Sequence, residues 1–171
     1  MGFIPHNRRS IRLRGYDYRN PGAYFITLCI KNRECLFGEI RNGEMVLNEF
    51  GDVVTNEWLR TPVVRPEITL DSFVVMPNHL HGIIVIHPGR GGSRTAPTTV
   101  ESTKPLGRLI GAFKTTSTKR INMIRGTPGI ALWQRNYYEH IVRGEFDLFR
   151  IRKYIAANPA KWERNLNTPL F

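Results

Sequence analysis

The succession of predicted strands and helices indicates an α+β protein with a ferredoxin-like (βαββαβ) antiparallel sheet, plus an added C-terminal helix. Two observations support this fold class. Short β-rich runs bounded by turn residues alternate with longer segments of helical periodicity. The chain has 171 residues, of which 41% are hydrophobic, which is enough for the core of one domain. We expect the helices to cover one face of the sheet and to leave the other face available for binding.

The strands are predicted from apolar runs between turn residues. The first covers residues 23–30 and follows Asn20-Pro21-Gly22. Within residues 36–47, Asn42-Gly43 lies between two short apolar runs and indicates a two-residue hairpin. Three further strands are predicted, over 68–75, 79–86 and 132–142.

Three helices are predicted, over residues 48–60, 106–125 and 145–157. Pro62 is expected to end the first. Asn158-Pro159 is expected to end the third, because a proline disfavours helical backbone at the residue before it.

Composition divides the chain into three parts. Residues 1–20 hold five arginines and one acid, and we interpret them as a basic N-terminal arm. Residues 21–162 form a single domain, within which 88–105 is rich in Gly, Ser, Thr and Pro and is predicted to be a flexible loop. Residues 163–171 are a short tail.

The charge balance points to a polyanionic partner. The chain has 25 Lys and Arg against 14 Asp and Glu, giving a net charge of +11. Such an excess favours nucleic acid as the partner, although a basic housekeeping enzyme without such a partner is the alternative. No apolar run is long enough for a membrane span, and no secretory signal is recognisable. Cys29 and Cys35 do not form a disulfide framework, so we expect a reduced, cytoplasmic protein.

A pair of histidines on a predicted strand is the first candidate site. His79 and His81 should point to one face because strand side chains alternate, while Leu80 points into the core. Gly82 is expected to leave space beside them. Two adjacent imidazoles can bind one metal ion. The alternative is a pair of exposed histidines on an edge strand.

The last predicted helix carries the second candidate site. Tyr154 and Asn158 are four residues apart and therefore share a face of that helix. Arg150, Arg152 and Lys153 surround the phenol with positive charge, which would favour the phenolate and hold phosphate. The alternative is a surface tyrosine on a basic helix.

The two features combined predict phosphodiester chemistry. The imidazoles of His79 and His81 and the amide oxygen of Asn158 could bind a divalent ion with open positions, which suits Mg²⁺ or Mn²⁺. A metal that polarises a phosphate beside a tyrosine nucleophile supports phosphodiester transfer.

Further basic residues are candidates for DNA contact. The helix predicted over 106–125 contains no acid, and we expect phosphate contacts from four of its cations, although they could simply form a solvated face. These are Arg108, Lys114, Lys119 and Arg120. The N-terminal arm adds Arg8, Arg9, Arg12 and Arg14, which could enter a DNA groove.

Three motifs carry a resemblance to a known family. They are VMPNHLH at 75–81, LWQRNYYEHIVR at 132–143 and RKYIAANP at 152–159. With them the chain resembles the single-tyrosine HUH (His-hydrophobic-His) transposases, and more closely the REP-associated tyrosine transposases. The resemblance extends from about Arg14 to Trp162.

The resemblance implies a metal-dependent endonuclease and strand transferase that acts on single-stranded DNA at hairpin-flanked sites. It implies that His79 and His81 bind the metal and that Tyr154 is the nucleophile, which leaves a 5′-phosphotyrosine and a free 3′-OH. Asn158 stands where relatives have a polar residue that completes the metal site. Hairpin or single-stranded DNA is the implied partner, and a homodimer that exchanges the tyrosine helix is a further possibility.

Other assignments stay open at this point. Tyr137 and Tyr138 are rival nucleophiles on a predicted strand, and His140 is either structural or a DNA contact. A non-catalytic nucleic-acid-binding module and a metal phosphodiesterase that uses water instead of Tyr154 are alternative functions.

Overall fold

A four-stranded antiparallel sheet forms the centre of the molecule. The computed structural model describes residues 16–88 and 105–162. Within those residues there are six strands, in chain order β1 (Gly22–Cys29), β2 (Gly38–Arg41), β3 (Glu44–Leu47), β4 (Ile68–Met76), β5 (His79–Ile86) and β6 (Tyr138–Ile141). The large sheet has the order β4-β5-β1-β6, and β2 and β3 form a separate hairpin. This strand order confirms the ferredoxin-like prediction.

The described part of the chain also forms four α-helices: α1 (Glu49–Leu59), α2 (Thr61–Val64), α3 (Leu106–Ile124) and α4 (Gly144–Trp162). Helix α1 begins at Asn48, whose side chain accepts hydrogen bonds from the backbone N–H groups of Phe50 and Gly51. The predicted hairpin turn is confirmed, because Asn42 and Gly43 both have positive φ, as a two-residue turn of this type requires.

One face of the sheet packs against α1 and α3 and carries the main hydrophobic core. Tyr24, Ile26 and Leu28 of β1 are fully buried there, together with Trp58 of α1. Gly82 also faces this layer, since a Cβ at that position would lie 2.6 Å from the Trp58 ring. The prediction that Gly82 leaves space beside the histidines is therefore wrong, because strand alternation turns it toward the opposite face.

The other face of the sheet is covered by α4. Ile155 packs there against Phe25 of β1 and Ile83 of β5, and α4 also packs along β4. The expectation that this face is left open is wrong. The added helix lies on it because Ile155 and its neighbours need an apolar surface to pack against.

Two predicted elements have different lengths in the structure. Strand β6 is restricted to Tyr138–Ile141, because Trp133 lies in the core and its indole N–H donates to Ser117. Helix α4 does not end at Asn158 but continues through Pro159 to Trp162. Asn158 is buried against the sheet, so its tertiary contacts override the local preference of a residue that precedes proline.

The predicted arm ends on the folded domain. The hydroxyl of Tyr16 lies 3.2 Å from that of Tyr24, and the Tyr16 and Tyr18 rings pack edge to face. Four predicted DNA contacts, Arg8, Arg9, Arg12 and Arg14, lie outside the described residues, as do most of the predicted loop 88–105 and the tail 163–171. None of the helices in the described ranges combines the length and the apolar character that a membrane span needs.

Candidate active site

The two predicted metal ligands lie side by side at the start of β5. The Nε2 atoms of His79 and His81 are 3.1 Å apart, and the side chains face the α4 layer. The two residues are only 1% and 3% exposed. The predicted alternation of the His-Leu-His segment is confirmed, because Leu80 belongs to the core on the other face.

Each histidine has a polar neighbour at its second ring nitrogen. Thr27 stands opposite His81 in the β1–β5 register, and its Oγ1 is 2.8 Å from His81 Nδ1. Asn78 belongs to the turn that joins β4 to β5, and its Oδ1 is 2.7 Å from His79 Nδ1. The Nδ2 of Asn78 donates to the carbonyl oxygen of Arg33 at 3.1 Å. Metal-binding histidines in proteins are commonly oriented by such contacts.

Both imidazoles are neutral near pH 7. Burial, together with the positive charge of Arg33, lowers the pKa of His79 to about 4, although a hydrogen bond with Asn158 opposes the shift. Burial and the neighbouring His79 lower the pKa of His81 well below its usual value. Neutral imidazole is the form that binds a metal ion, so neither histidine has to lose a proton near pH 7 before it can act as a ligand.

Helix α4 brings three side chains to the histidines. The Tyr154 hydroxyl is 3.3 Å from His81 Nε2, and the phenol ring lies edge-on to Phe25. Asn158, one turn further along, hydrogen-bonds His79. The ring of Trp162 lies 5.7 Å from that of His79. Two separate sequence motifs are thus joined in one site within a single chain.

Polar contacts attach α4 to both edge strands of the sheet. Arg152 forms two hydrogen bonds of 2.8 and 2.6 Å with the carboxylate of Asp71 on β4. At the start of α4, Asp147 lies 2.8 Å from the Nε2 of His140 on β6. Asp147 also accepts the backbone N–H of Arg143. His140 is therefore a structural contact of the tyrosine helix in this structure.

The donor set fits a divalent ion with open coordination positions. It consists of two neutral imidazoles and the amide of Asn158, which together offer nitrogen and oxygen ligands. Within residues 16–88 and 105–162 there is no group of three or more His, Cys, Asp or Glu side chains that could hold a metal. A closed structural zinc site is therefore not found in those ranges.

The basic residues of α4 differ in what they contact. Arg150 and Lys153 are exposed, and the Lys153 ammonium lies 4.6 Å from the centre of the Phe149 ring. Arg152 is instead bound to Asp71. Of the three predicted contacts, Arg150 and Lys153 are thus free of the ion pair that holds Arg152, and DNA contact by all three stays a prediction.

The predicted basic face of α3 is on the far side of the sheet from the histidines. Lys114 donates to the backbone carbonyls of Gln134 and Asn136, and its burial lowers its pKa to about 8. Arg120 lies 2.7 Å from the buried carboxylate of Glu57. Both cations thus have partners within the protein, although Arg120 is also exposed, as are Arg108 and Lys119. Phosphate contact by all four stays a prediction.

The rival tyrosines are not placed beside the histidine pair. Tyr137 packs against the core on the α1/α3 side and lies under the Lys114 ammonium. Tyr138 is 44% exposed and has its ring 6.2 Å from that of Phe25. Tyr154 is the tyrosine whose hydroxyl reaches His81.

Sequence reasoning missed Thr27, Asn78 and Trp162 as parts of this site. Asn78 directly precedes His79, so its position in the turn was an available indication. Thr27 requires knowledge of the β1–β5 register, since it is 54 residues from His81. Trp162 requires α4 to continue past Pro159, against the local preference.

Comparisons with known proteins are consistent with this architecture. No protein-family model matches the chain. An uncharacterised protein of Haemophilus influenzae is 44% identical over 170 residues, which covers 94% of this chain and 92% of that protein.

A solved structure of a REP-associated tyrosine transposase bound to a REP hairpin has a TM-score of 0.60 and 18% sequence identity. The similarity covers 88% of this chain and 73% of that one. The resemblance indicated by the sequence motifs is confirmed for the fold. The chain belongs to the same family as the Haemophilus influenzae protein and has the fold of the REP-associated tyrosine transposase.

Proposed function

We propose that the protein is a metal-dependent endonuclease and strand transferase for single-stranded DNA, transposase-like in its action and working through a 5′-phosphotyrosine intermediate. The observation that carries the proposal is the position of the Tyr154 hydroxyl, 3.3 Å from the Nε2 of a buried, neutral histidine pair. A tyrosine beside a candidate cation site is the arrangement that nucleophilic attack on a phosphodiester needs.

Tyr154 is the nucleophile in this reaction. Its phenolic oxygen forms a bond to phosphorus, the bond from phosphorus to the 3′ oxygen breaks, and the 3′ oxygen leaves with a proton as a free 3′-OH. The products are a 5′-phosphotyrosine ester and a 3′-ended strand. Because the ester keeps the energy of the broken bond, a second 3′-OH can later attack it and release the tyrosine.

His79, His81 and Asn158 would hold the metal ion, Mg²⁺ or Mn²⁺. When bound, the ion would polarise the phosphate and reduce the cost of the charge that develops on its oxygens. Phe25 packs against Tyr154 and limits the movement of the phenol. Helix α4 joins the nucleophile to Asn158 through one rigid element, so both are positioned together.

A DNA partner is supported by the net charge of +11 and by the exposed cations Arg150 and Lys153 beside the tyrosine. The transposase with the same fold was solved with a REP hairpin. We therefore propose hairpin-flanked single strands as the substrate, with α4 facing the scissile phosphate.

The test uses the full chain, Mn²⁺ and labelled single-stranded hairpin DNA from the region that flanks its gene. Wild-type protein should give a slow-moving protein–DNA adduct on a denaturing gel. Tyr154→Phe should give neither adduct nor cleavage and should bind the DNA with unchanged affinity, because only one hydroxyl is removed. Tyr138→Phe is the matched control, and it should retain the adduct.

Each alternative has its own outcome in this test. An adduct that persists in Tyr154→Phe would show that another residue is the nucleophile. Cleavage without an adduct would indicate a phosphodiesterase that uses water. Binding without any reaction in wild-type protein would indicate a non-catalytic nucleic-acid-binding module.

A further inference from the structure

We propose that Phe146 and Phe149 of α4 form a stacking platform for unpaired bases of the DNA strand whose phosphate lies at Tyr154. The two rings, the aromatic platform, are 75% and 53% exposed. The inference rests on the proposed function, since it concerns the bases of the same single-stranded substrate. It adds base stacking to phosphate contact as a source of affinity for that strand.

The platform consists of two large apolar side chains that the fold leaves in solvent. All other phenylalanines in the described ranges are buried or partly buried. Phe146 and Phe149 are three residues apart and are therefore neighbours on the helix surface. Single exposed apolar side chains are common, but adjacent ones surrounded by polar groups mark a binding surface. The pair therefore indicates that this side of α4 has a ligand.

The contact of α4 with the sheet does not involve the platform. Leu148, Ile151 and Ile155 form the side of the helix that packs near Phe25 and Ile83. Phe146 and Phe149 lie on the solvent side of the same helix. Their aromatic character is thus not explained by the packing of the fold.

The platform continues a row of side chains that begins at Tyr154. Arg150 is four residues before Tyr154, and Phe146 is four residues before Arg150, so the three follow one another along one side of α4. Eight residues of helix span about 12 Å. Because a stacked strand rises about 3.4 Å per nucleotide, the platform lies a few nucleotides from a phosphate at Tyr154.

The cations around the platform favour a polyanionic ligand. The Lys153 ammonium lies 4.6 Å from the centre of the Phe149 ring, which leaves the other side of this half-exposed ring to a base. Arg150 is exposed between Phe146 and Tyr154. Proteins that bind single strands combine cations that contact the phosphates with aromatic rings that stack on the bases.

The two acids in the first turn of α4 do not cancel these charges. Asp147 is bound by His140 and by the backbone N–H of Arg143. The charge of Glu145 acts on Arg152, which is held by β4 at the other side of the helix. The side of α4 that carries the platform is therefore both aromatic and positively charged.

A second copy of this chain would fit the platform less well than a nucleic acid strand does. A symmetric contact between two copies places the same surface on both partners. It would bring Arg150 and Lys153 close to the equivalent cations of the other copy, with no acid on this side to compensate them. A single strand supplies phosphates for the cations and ring faces for the two phenylalanines.

The experiment compares the binding of two single strands of equal length and charge to the full-length protein. One is a strand of thymidines, and the other is built of abasic nucleotides, which keep the phosphates and lack the bases. Fluorescence anisotropy measures binding in EDTA, so that no metal-dependent cleavage consumes the strand. Wild-type protein should bind the thymidine strand about tenfold or more tightly than the abasic strand.

Substitutions in the platform should reduce that preference. Phe146→Ala and Phe149→Ala should each weaken binding to the thymidine strand by about fivefold or more and leave binding to the abasic strand unchanged. Phe146→Tyr keeps an aromatic ring and should bind as wild type does. Phe146→Leu keeps an apolar side chain without a ring and should behave like the alanine variant.

Two further variants are the controls. Arg150→Gln should weaken binding to both strands by the same factor, because it removes a contact with phosphate. Val63→Ala, at an apolar position on α2 that is also exposed, should change neither affinity. Circular dichroism checks that each variant is folded.

The proposal is overturned if the platform variants bind the thymidine strand as tightly as wild type, or if they weaken binding to both strands equally. Wild-type protein that binds neither strand also overturns it. So does a dimer, seen by ultracentrifugation, that Phe146→Ala dissociates without a change in the preference for thymidine, since the platform would then be an interface between copies.

This proposal and the proposed function fail separately. If wild-type protein forms the protein–DNA adduct and the platform variants bind normally, the proposed function stands and the platform is rejected. If the platform variants lose the preference for thymidine and no adduct forms in the cleavage test, the platform stands and the proposed reaction is rejected.

Discussion

The two faces of the sheet are built by different means. The face toward α1 and α3 is a continuous apolar layer in which Tyr24, Ile26 and Trp58 are fully buried. The face toward α4 has a small apolar cluster centred on Ile155, and beside it lie the two buried histidines. Apolar burial holds α1 and α3 on the first face. On the second face, hydrogen bonds from α4 to β6 and β4 add to the apolar contacts.

The difference separates the layer that stabilises the fold, formed by α1 and α3, from the layer that holds the candidate active site, formed by α4. Buried apolar area is the main favourable term in folding, so the α1/α3 layer should set the global free energy of unfolding. The α4 layer has fewer such contacts and should open locally at lower cost. The helix that carries the proposed nucleophile, Tyr154, can then respond to a ligand without loss of the core.

The largest expected effect is that of Trp58→Ala. Removing this fully buried ring should lower the free energy of unfolding by about 3–5 kcal/mol, because it leaves a cavity between α1 and the sheet. Urea unfolding measures the loss, and hydrogen exchange should rise in the sheet and in α4 together. Leu59→Ala, at a position that is 51% exposed, is the control. A loss confined to α4 would contradict the assignment of stability to this face.

Lowering the pH should have an intermediate effect on the free energy of unfolding, through the buried histidine His79 on the α4 face. Unfolded histidine takes up a proton near pH 6.5, whereas His79 has a pKa of about 4 in the folded state. Between these values the unfolded state binds more protons, so the free energy of unfolding should fall as the pH falls. The loss is on the order of 3 kcal/mol for a shift of this size.

Urea unfolding at several pH values between 7 and 4 measures this dependence. His79→Gln should reduce the slope, with His81 supplying the part that remains, while His87→Gln, at an exposed position, should not change it. An equal slope in wild type and His79→Gln would show that the burial of His79 does not govern the acid response.

The smallest expected effect is that of Asp71→Asn. It removes the charge partner of Arg152 and keeps the shape of the side chain. Because the pair lies at the surface, the urea midpoint should change little. Hydrogen exchange within α4 should become faster, while exchange in β1 and β5 should not.

Two comparisons sharpen this prediction. The charge-swapped pair Asp71→Arg with Arg152→Asp should recover part of the protection of α4. Glu39→Gln, which breaks the exposed ion pair with Arg41 in the β2–β3 hairpin, should leave α4 unaffected. Unchanged exchange in Asp71→Asn would show that the ion pair does not hold the tyrosine helix.

Local periodicity was sufficient for much of the fold and for the paired histidines. Strand alternation placed His79 and His81 on the same face of their strand. Helical spacing placed Tyr154 and Asn158 on the same face of their helix. The strand order then follows from the βαββαβ succession. These features depend on residues that are close in the chain.

The features that could not be predicted depend on partners that are distant in the chain. Lys114 and Arg120 stay predicted phosphate contacts, but their partners within the protein could not be predicted. Carbonyls of residues 134 and 136 accept from Lys114, and the carboxylate of Glu57 pairs with Arg120. The covering of the second face by α4 likewise depends on tertiary packing, since an amphipathic helix does not reveal which surface it contacts. Pro159 stays within α4 for the same reason.

The turn between β4 and β5 limits which insertions and deletions the protein can tolerate. Met76 pairs with His79 directly across this turn, so the first histidine of the pair follows the turn without a spacer. Inserting or deleting one codon between the turn and His79 would exchange the faces of Leu80 and both imidazoles. Longer or shorter versions of this turn should therefore be strongly selected against.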